Sequence, residues 1–385
     1  MSDLPSLREQ FRRKFGAEPR AFRAPGRANL IGEHVDYNDG CVLPLAIDRD
    51  CTVLAARRTD GRVRVHSREF GETAEIKLDA ARPGSGHWSQ YVAGVAWALK
   101  ELGVRVAGAD LLIASDVAPG GGLSSSAALE VSTAFAFTGL AGATIERVEI
   151  ARACQRAENE FVGMRCGIMD QLTACFGKRE HALLIDCRTL AVSPLPLDSA
   201  RVRVVVANTM ARHELAASEY NRRREECEEA VRRIAETRPA VRALRDVSWE
   251  EIAEMAAHWP EPIRRRARHV TQEIARVHAA AQALERSDYE AFGELMRQSH
   301  ESLDRDYEVS CAELNLMVRL ARELPGAYGA RMTGGGFGGS TVNLVRADAA
   351  ENFGSDLARR YKAETGVHPE ITLCRPTDAA GEIPR

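Results

Sequence analysis

Along the first third of the chain, apolar and polar positions follow a period of two and then widen to helical spacing. "CTVLAARR" (51–58) and "RVRVHS" (62–67) are rich in β-formers, and the turn-like "TDG" between them predicts a hairpin. "TAEIKL" (73–78) keeps the two-residue alternation and predicts another strand. In "HWSQYVAGVAWALKELG" (87–103), Trp88, Val92, Val95 and Leu99 recur at helical spacing, and Gly103 closes the segment. "ADLLIASD" (109–116) reads as a short buried strand that runs directly into a glycine stretch.

Three helical segments follow: one from about Leu123, one over "TIERVEIARACQRAENEF" (144–161) with Thr144 as its cap, and a short one around "IMDQLTACFG" (168–177). "HALLIDC" (181–187) is a strand, and "SPLPLD" (193–198) is the seam that separates an expected domain 1–195 from a domain 196–385. The second half opens on the strand "RVRVVVAN" (201–208). A charge-laced helical stretch then covers about 214–303, broken near Pro239 and at "HWPEP" (258–262). A helix, a glycine-rich turn between strands, another helix and a last strand, "HPEITLC" (368–374), complete the chain. Strands followed by runs of helices predict an α+β protein.

Composition narrows the function classes. A net charge of −3 and a pI near 6.4 give no global pull towards nucleic acid or anionic membrane. The basic run "RRRAR" (264–268) reads as a solvated helix face, because acidic residues flank it. No apolar run is long enough to span a membrane, and the N-terminal segment lacks the apolar core of a secretory signal. Nine cysteines without a CxxC pair point to reduced thiols in a cytoplasmic protein.

Two stretches carry candidate chemistry. In "APGGGLSSSAALE" (118–130), glycines let the backbone approach an anion, and the helix that follows offers unpaired amides and the positive end of its dipole. Ser124, Ser125 and Ser126 add hydroxyls; the alternative is a flexible loop with helix caps. No lysine follows the glycines as in a P-loop. A triphosphate here therefore calls for a metal, and Mg²⁺ takes one or two carboxylates beside phosphate and water. Glu158 is the candidate, although spacing alone would leave it an exposed helix residue. The second stretch, "APGRANLIGEHVDYNDG" (24–40), gathers Arg27, Glu33, His34, Asp36, Tyr37, Asn38 and Asp39, a density of hydrogen-bonding groups suited to a polyol. "DYNDG" by itself would be a turn.

With these residues in view, "GRANLIGEHVDY" resembles the signature of galactokinases. "APGGGLSSSAALE" and "RMTGGGFGGSTVNL" (331–344) are similar to motifs of the wider group of galactokinase, homoserine, mevalonate and phosphomevalonate kinases. "CGIMDQ" (166–171) and "SEY" (218–220) fit galactokinases too, so the resemblance runs through most of the chain. It implies a two-domain GHMP kinase fold, with an N-terminal mixed sheet and helices and a C-terminal antiparallel sheet and helices. It implies ATP-dependent phosphorylation of galactose at the anomeric hydroxyl by a cytoplasmic monomer that uses Mg²⁺ and binds neither nucleic acid nor membrane. The nucleotide falls on Gly120, Gly121, Gly122, Leu123, Ser124, Ser125 and Ser126, with Ser67 and Trp88 near the adenine. Mg²⁺ falls on Ser126 and Glu158. Asp170 matches the catalytic aspartate and Arg27 its partner, a guanidinium that favours the ionised carboxylate and steadies charge on the transferred group. Glu33, His34, Asp36, Gly167 and Tyr220 match the sugar cluster, Gly167 letting the backbone approach the sugar. "TGGGFGG" (333–339) lies near the active site in that family; read from its residues, it could equally be a hairpin without ligand contact. Ser340 stands where cysteine is common in that family. A kinase of N-acetylgalactosamine or another sugar, a silent sugar sensor and a nucleic-acid binder are the competing readings.

Overall fold

The computed structural model describes residues 3–84, 86–212 and 216–384. Among them the strands are β1 (Arg20–Asn29), β2 (Cys41–Val42), β3 (Pro44–Arg58), β4 (Arg62–Ser67), β5 (Glu72–Lys77), β6 (Gly108–Ser115), β7 (His181–Asp186), β8 (Val192–Pro196), β9 (Val202–Arg212), β10 (Ala327–Thr333), β11 (Gly338–Arg346), β12 (Glu370–Cys374) and β13 (Gly381–Ile383). The helices are α1 (Leu4–Phe15), α2 (Ser89–Glu101), α3 (Ser125–Ala141), α4 (Arg147–Arg156), α5 (Met169–Phe176), α6 (Ala216–Ala235), α7 (Trp249–Ala256), α8 (Glu261–Glu285), α9 (Tyr289–Arg305), α10 (Ala312–Arg322) and α11 (Ala350–Thr365). The expected start of the second half's helical stretch, Glu214, lies outside the described residues.

The first sheet runs β13-β1-β3-β6-β4-β5 and is covered on both faces. Alternation along its central strands assigns each side chain to a face. Ala21, Leu54, Ala56, Leu112 and Ala114 pack against Leu7 and Phe11 of α1. Phe22, Val53, Ala55, Leu111 and Ile113 point the other way, into the core that holds Ala128, Val131, Ala134 and Phe137 of α3. With both faces buried, the central strands read as near-continuous apolar runs. Helix α3 is almost entirely small or apolar for the same reason: it lies between the sheet and α2, α4 and α5.

A second sheet, β10-β11-β9-β12, is backed by α10 and α11. Its core joins Val205, Ala330 and Val345 to Met317, Phe353 and Leu357. A small sheet, β2-β7-β8, packs against α8, while α9 packs on β10.

The chain departs from the sequence-based expectations at five places. Strands β3 and β4 are not a hairpin, because β6 inserts between them, antiparallel to β3 and parallel to β4. The hairpin partner of β4 is β5. Thr144 does not cap a helix: α4 begins at Arg147, with Glu146 at its N-cap in extended conformation, and after Arg156 the chain widens into one π-helical turn through Val162. Residues 193–196, read as the start of the seam, lie in β8 and pair with β7. The last strand, β13, gave no signal in the sequence; it returns to pair with β1. Finally, "RRRAR" is not a uniformly solvated face. Arg266 is buried and bridges Glu226 and Glu308, each at 2.7 Å, while Arg268 pairs with Asp306.

Candidate active site

The centre of the site is a hydrogen-bonded ion pair between two strongly separated stretches. Strand β1 changes register between Pro25 and Arg27, and there the Arg27 amide donates to the Leu123 carbonyl at 3.1 Å. This docks the glycine–serine loop on the end of β1 and buries the Arg27 side chain. From there Arg27 Nε donates to Asp170 Oδ1 at 2.7 Å and Nη2 to Oδ2 at 3.0 Å, a two-pronged grip on the first turn of α5. Arg27 Nη1 donates to the Gly122 carbonyl at 2.5 Å. Burial opposes the guanidinium's charge, but Asp170 and Glu33 more than offset it and raise its pKa. Ser124 also donates to Asp170 Oδ2. Oδ1 thus keeps a lone pair that no donor among the described residues uses.

A cavity of about 480 Å³ opens above this pair. At one end lie Gly120, Gly122, Ser124, Ser125, Ser126 and Glu158. Gly120 and Gly122 hold positive φ (72° and 73°), as does Ser124 (59°), so three left-handed residues turn the chain into α3. Ser124 caps no amide, its hydroxyl being spent on Asp170, so the first amides of α3 remain open to an anion. Gly121 and Leu123 do not line the cavity. The Gly121 carbonyl accepts from Ser340 Oγ at 2.5 Å, tying the loop to β11, and the Leu123 side chain enters the core.

Glu158 sits on the π-helical turn, buried, and Ser126 hydrogen-bonds to it. Gln171 Nε2 donates to its Oε2 at 2.9 Å and Cys166 Sγ at 3.2 Å. Burial, and then the Asp170 charge, pushes the Glu158 carboxyl up to about 7. Behind it lies a second buried carboxyl, Glu130, which accepts from the same Gln171 amide at 3.1 Å. Burial and the neighbouring Glu158 hold Glu130 well above the usual carboxylate range. Among the described residues no three His, Cys, Asp or Glu side chains form a metal cage of their own. The donor set that is present, a hydroxyl and a carboxylate whose charge burial leaves poorly compensated, is hard oxygen of the kind Mg²⁺ takes when other ligands come from outside the protein.

The other end is lined by Glu33, His34, Asp36, Gly167, Tyr220 and the turn 333–339. Glu33 is largely occupied: Oε1 accepts from Gly334 N at 2.7 Å and Thr333 Oγ1 at 3.0 Å, and Oε2 from Asn29 Nδ2 at 2.9 Å. It therefore fastens the glycine-rich turn to the end of β1 and keeps one free lone pair, on Oε2. His34 adopts φ 64° and is pushed down to about 3, by burial first and His269 second, so the ring is neutral. Its Nε2 is buried and makes no hydrogen bond of ordinary geometry. Burial, and then Asp170, raises the Asp36 carboxyl to about 7. Gly167 has a role the sequence did not reveal. A Cβ placed on it would stand 1.9 Å from Asp36 Oδ2, so glycine is required there to seat that carboxylate.

Known proteins match this arrangement. The galactokinase galactose-binding signature matches residues 9–57, the GHMP kinases N-terminal domain 90–178 and the GHMP kinases C-terminal model 280–363. Galactokinase of Roseiflexus sp. (strain RS-1) is 48% identical over 384 residues, covering 100% of this chain and 98% of its own. The chain belongs to the galactokinase family. Galactokinase of Chloroflexus aggregans is likewise 48% identical, over 97% of this chain and 96% of its own. The crystal structure of Lactococcus lactis galactokinase complexed with galactose superposes with a TM-score of 0.94 at 35% identity, covering 99% of this chain and all of its own. The expected α+β, two-domain GHMP kinase fold is therefore the fold of this galactokinase-family chain.

Besides Gly121 and Leu123, two further residues expected in the site lie apart from the cavity. Ser67 closes β4, where its hydroxyl donates to Glu69 at 3.4 Å and accepts from the Phe70 amide at 3.3 Å. Trp88 precedes α2 and donates to Glu72 at 2.8 Å. Conversely, Gln171, Glu130 and Arg331 belong to the site or its supports without having been assigned a role. Arg331 is fully buried and lies 3.4 Å from Glu33. Gln171 and Glu130 stand within the quoted motifs, and only their burial side by side distinguishes them from surface residues.

Proposed function

We propose that this chain transfers the γ-phosphoryl group of ATP to the anomeric hydroxyl of α-D-galactose, giving α-D-galactose 1-phosphate. One observation carries the reading: Asp170, gripped by Arg27 and Ser124, stands between a loop of open helix amides and a cluster of neutral or protonatable hydrogen-bonding groups in one cavity. The amides of α3 and the loop Gly120–Ser126 bind the nucleotide phosphates. Ser126 and Glu158 would hold Mg²⁺, which when bound offsets the charge of the triphosphate. Asp170 Oδ1 accepts the proton of the attacking hydroxyl, and Arg27 fixes the orientation of that oxygen while stabilising charge on the transferred group. Glu33, His34, Asp36 and Tyr220 orient the hexose, with Gly167 making room for Asp36. Positioning and electrostatics of this kind supply most of the acceleration in phosphoryl transfer. No helix among the described residues is long and apolar enough to cross a membrane.

ADP release coupled to a reporter, measured across a sugar panel with N-acetylgalactosamine included, tests this. Galactose is expected to give the highest kcat/KM. Turnover with galactose no faster than ATP hydrolysis without sugar would refute it, and a higher kcat/KM for N-acetylgalactosamine would reassign the substrate.

A further inference from the structure

Behind the sugar end of the cavity runs a line of buried hydrogen bonds that no part of the mechanism above uses. His34 Nδ1 and the Tyr37 hydroxyl are hydrogen-bonded at 2.8 Å. The Tyr37 hydroxyl is bonded in turn to the Tyr307 hydroxyl at 2.8 Å, and that to Cys227 Sγ at 3.2 Å. The members come from three distant parts of the chain: the turn after β1, the segment after α9, and α6. Tyr307 is fully buried, its ring 4.8 Å from that of His34 and 4.5 Å from that of His269. Arg223 Nε donates to its carbonyl at 2.8 Å, which holds its backbone in place. Asn38 donates to the His34 carbonyl at 3.0 Å and also hydrogen-bonds to Cys227, closing the far end of the line.

We propose that Tyr37, Tyr307 and Cys227 act as a positioning relay that fixes the ring orientation and tautomer of His34 and so contributes to the choice among hexoses. The inference rests on the reading that His34 contacts the sugar. Each hydroxyl carries one proton, so the direction of donation at the thiol end determines the direction at the imidazole. A neutral imidazole has one donor and one acceptor nitrogen. Fixing the role of Nδ1 therefore dictates whether Nε2, enclosed at the wall of the cavity with the Gly335 backbone beside the ring, can give a hydrogen bond or take one when a sugar is bound. A site committed to one of these rejects a hydroxyl presented the wrong way.

The test compares Tyr307→Phe with wild type by imidazole nitrogen NMR shifts of His34 and by steady-state kinetics. Wild type is expected to show a single neutral tautomer. Tyr307→Phe is expected to show both tautomers, with galactose KM raised about 3- to 10-fold, the range set by one lost hydrogen bond, and ATP KM unmoved. Should Tyr307→Phe not fold, Cys227→Ala cuts the far link with the same expected signature, and Cys227→Ser, which keeps a proton at that position, restores the wild-type pattern. His34→Ala separates the two readings. If it raises galactose KM while Tyr307→Phe and Cys227→Ala leave both the nitrogen shifts and KM at wild-type values, the relay is overturned and the sugar contact stands. If His34→Ala leaves galactose KM unchanged, both fall.

Discussion

Gly167→Ala is the smallest perturbation that reaches the sugar end of the cavity without removing a polar group. The added Cβ would lie 1.9 Å from Asp36 Oδ2 and 2.1 Å from Asp36 Cγ, and real Cβ contacts essentially never fall below 3.0 Å. The carboxylate must therefore retreat by roughly 1.1 Å, the difference between those distances, or α5 must shift. Neither element is free to move far: the Tyr37 amide donates to Asp36 Oδ1 at 3.0 Å, and α5 is tied to Arg27 through Asp170. A displacement of about 1 Å at a substrate-positioning group is worth about 100-fold in rate, and overpacking of this kind lowers stability by about 1–3 kcal/mol. Steady-state kinetics with each substrate varied in turn, alongside thermal unfolding, read out the effect. We expect kcat/KM for galactose to fall about 100-fold, with the Kd for ATP close to wild type, because the phosphate loop lies at the other end of the cavity. A variant whose galactose KM and kcat stay within about twofold of wild type would refute the assignment of Asp36 and Gly167 as partners in sugar binding.

Two further outcomes follow from the same geometry. Glu158→Ala removes the carboxylate beside Ser126, so the Mg²⁺ concentration for half-maximal activity is expected to rise about 10- to 100-fold; titration at fixed ATP measures it, and an unchanged requirement would displace Glu158 as a ligand. Asp36 holds its proton in the folded state up to about pH 7, well above the ordinary carboxylate range. Between those two values the folded state binds the extra proton, so this group's contribution to stability is lost as pH rises through about 7. Without galactose, the decline of Tm from pH 5 to pH 8 should be shallower for Asp36→Asn than for wild type; equal slopes would contradict it.

Much of this site was legible in the sequence because its members lie in short, dense stretches. "GEHVDY", "GGGLSSSA" and "CGIMDQ" each keep their chemistry within a few residues of one turn or helix end. What the sequence hid was contact between stretches. Spacing alone would leave Glu158 an exposed helix residue and gave Glu130 no role, yet burial places them on the two sides of one Gln171 amide. Tyr307 lies 270 residues from the hydroxyl it bonds, and no periodicity could pair them. Gly167 looked like an opening for substrate, whereas its missing side chain makes room for Asp36. In the fold, the "TDG" turn suggested a hairpin, but local turn chemistry says nothing of a strand 50 residues later entering between its arms. Ser67 and Trp88, assigned by resemblance alone, are left out of the cavity, as are Gly121 and Leu123 of the loop that lines it.

The central claim is that Asp170, held by Arg27 and Ser124, takes or orients the proton of the attacking sugar hydroxyl. Asp170→Asn keeps the shape and removes the charge, so the most direct test is its single-turnover rate of γ-phosphoryl transfer to galactose, measured beside ATP binding. The account predicts a rate about 100- to 10,000-fold below wild type, with ATP affinity nearly unchanged. Transfer at close to the wild-type rate would contradict it.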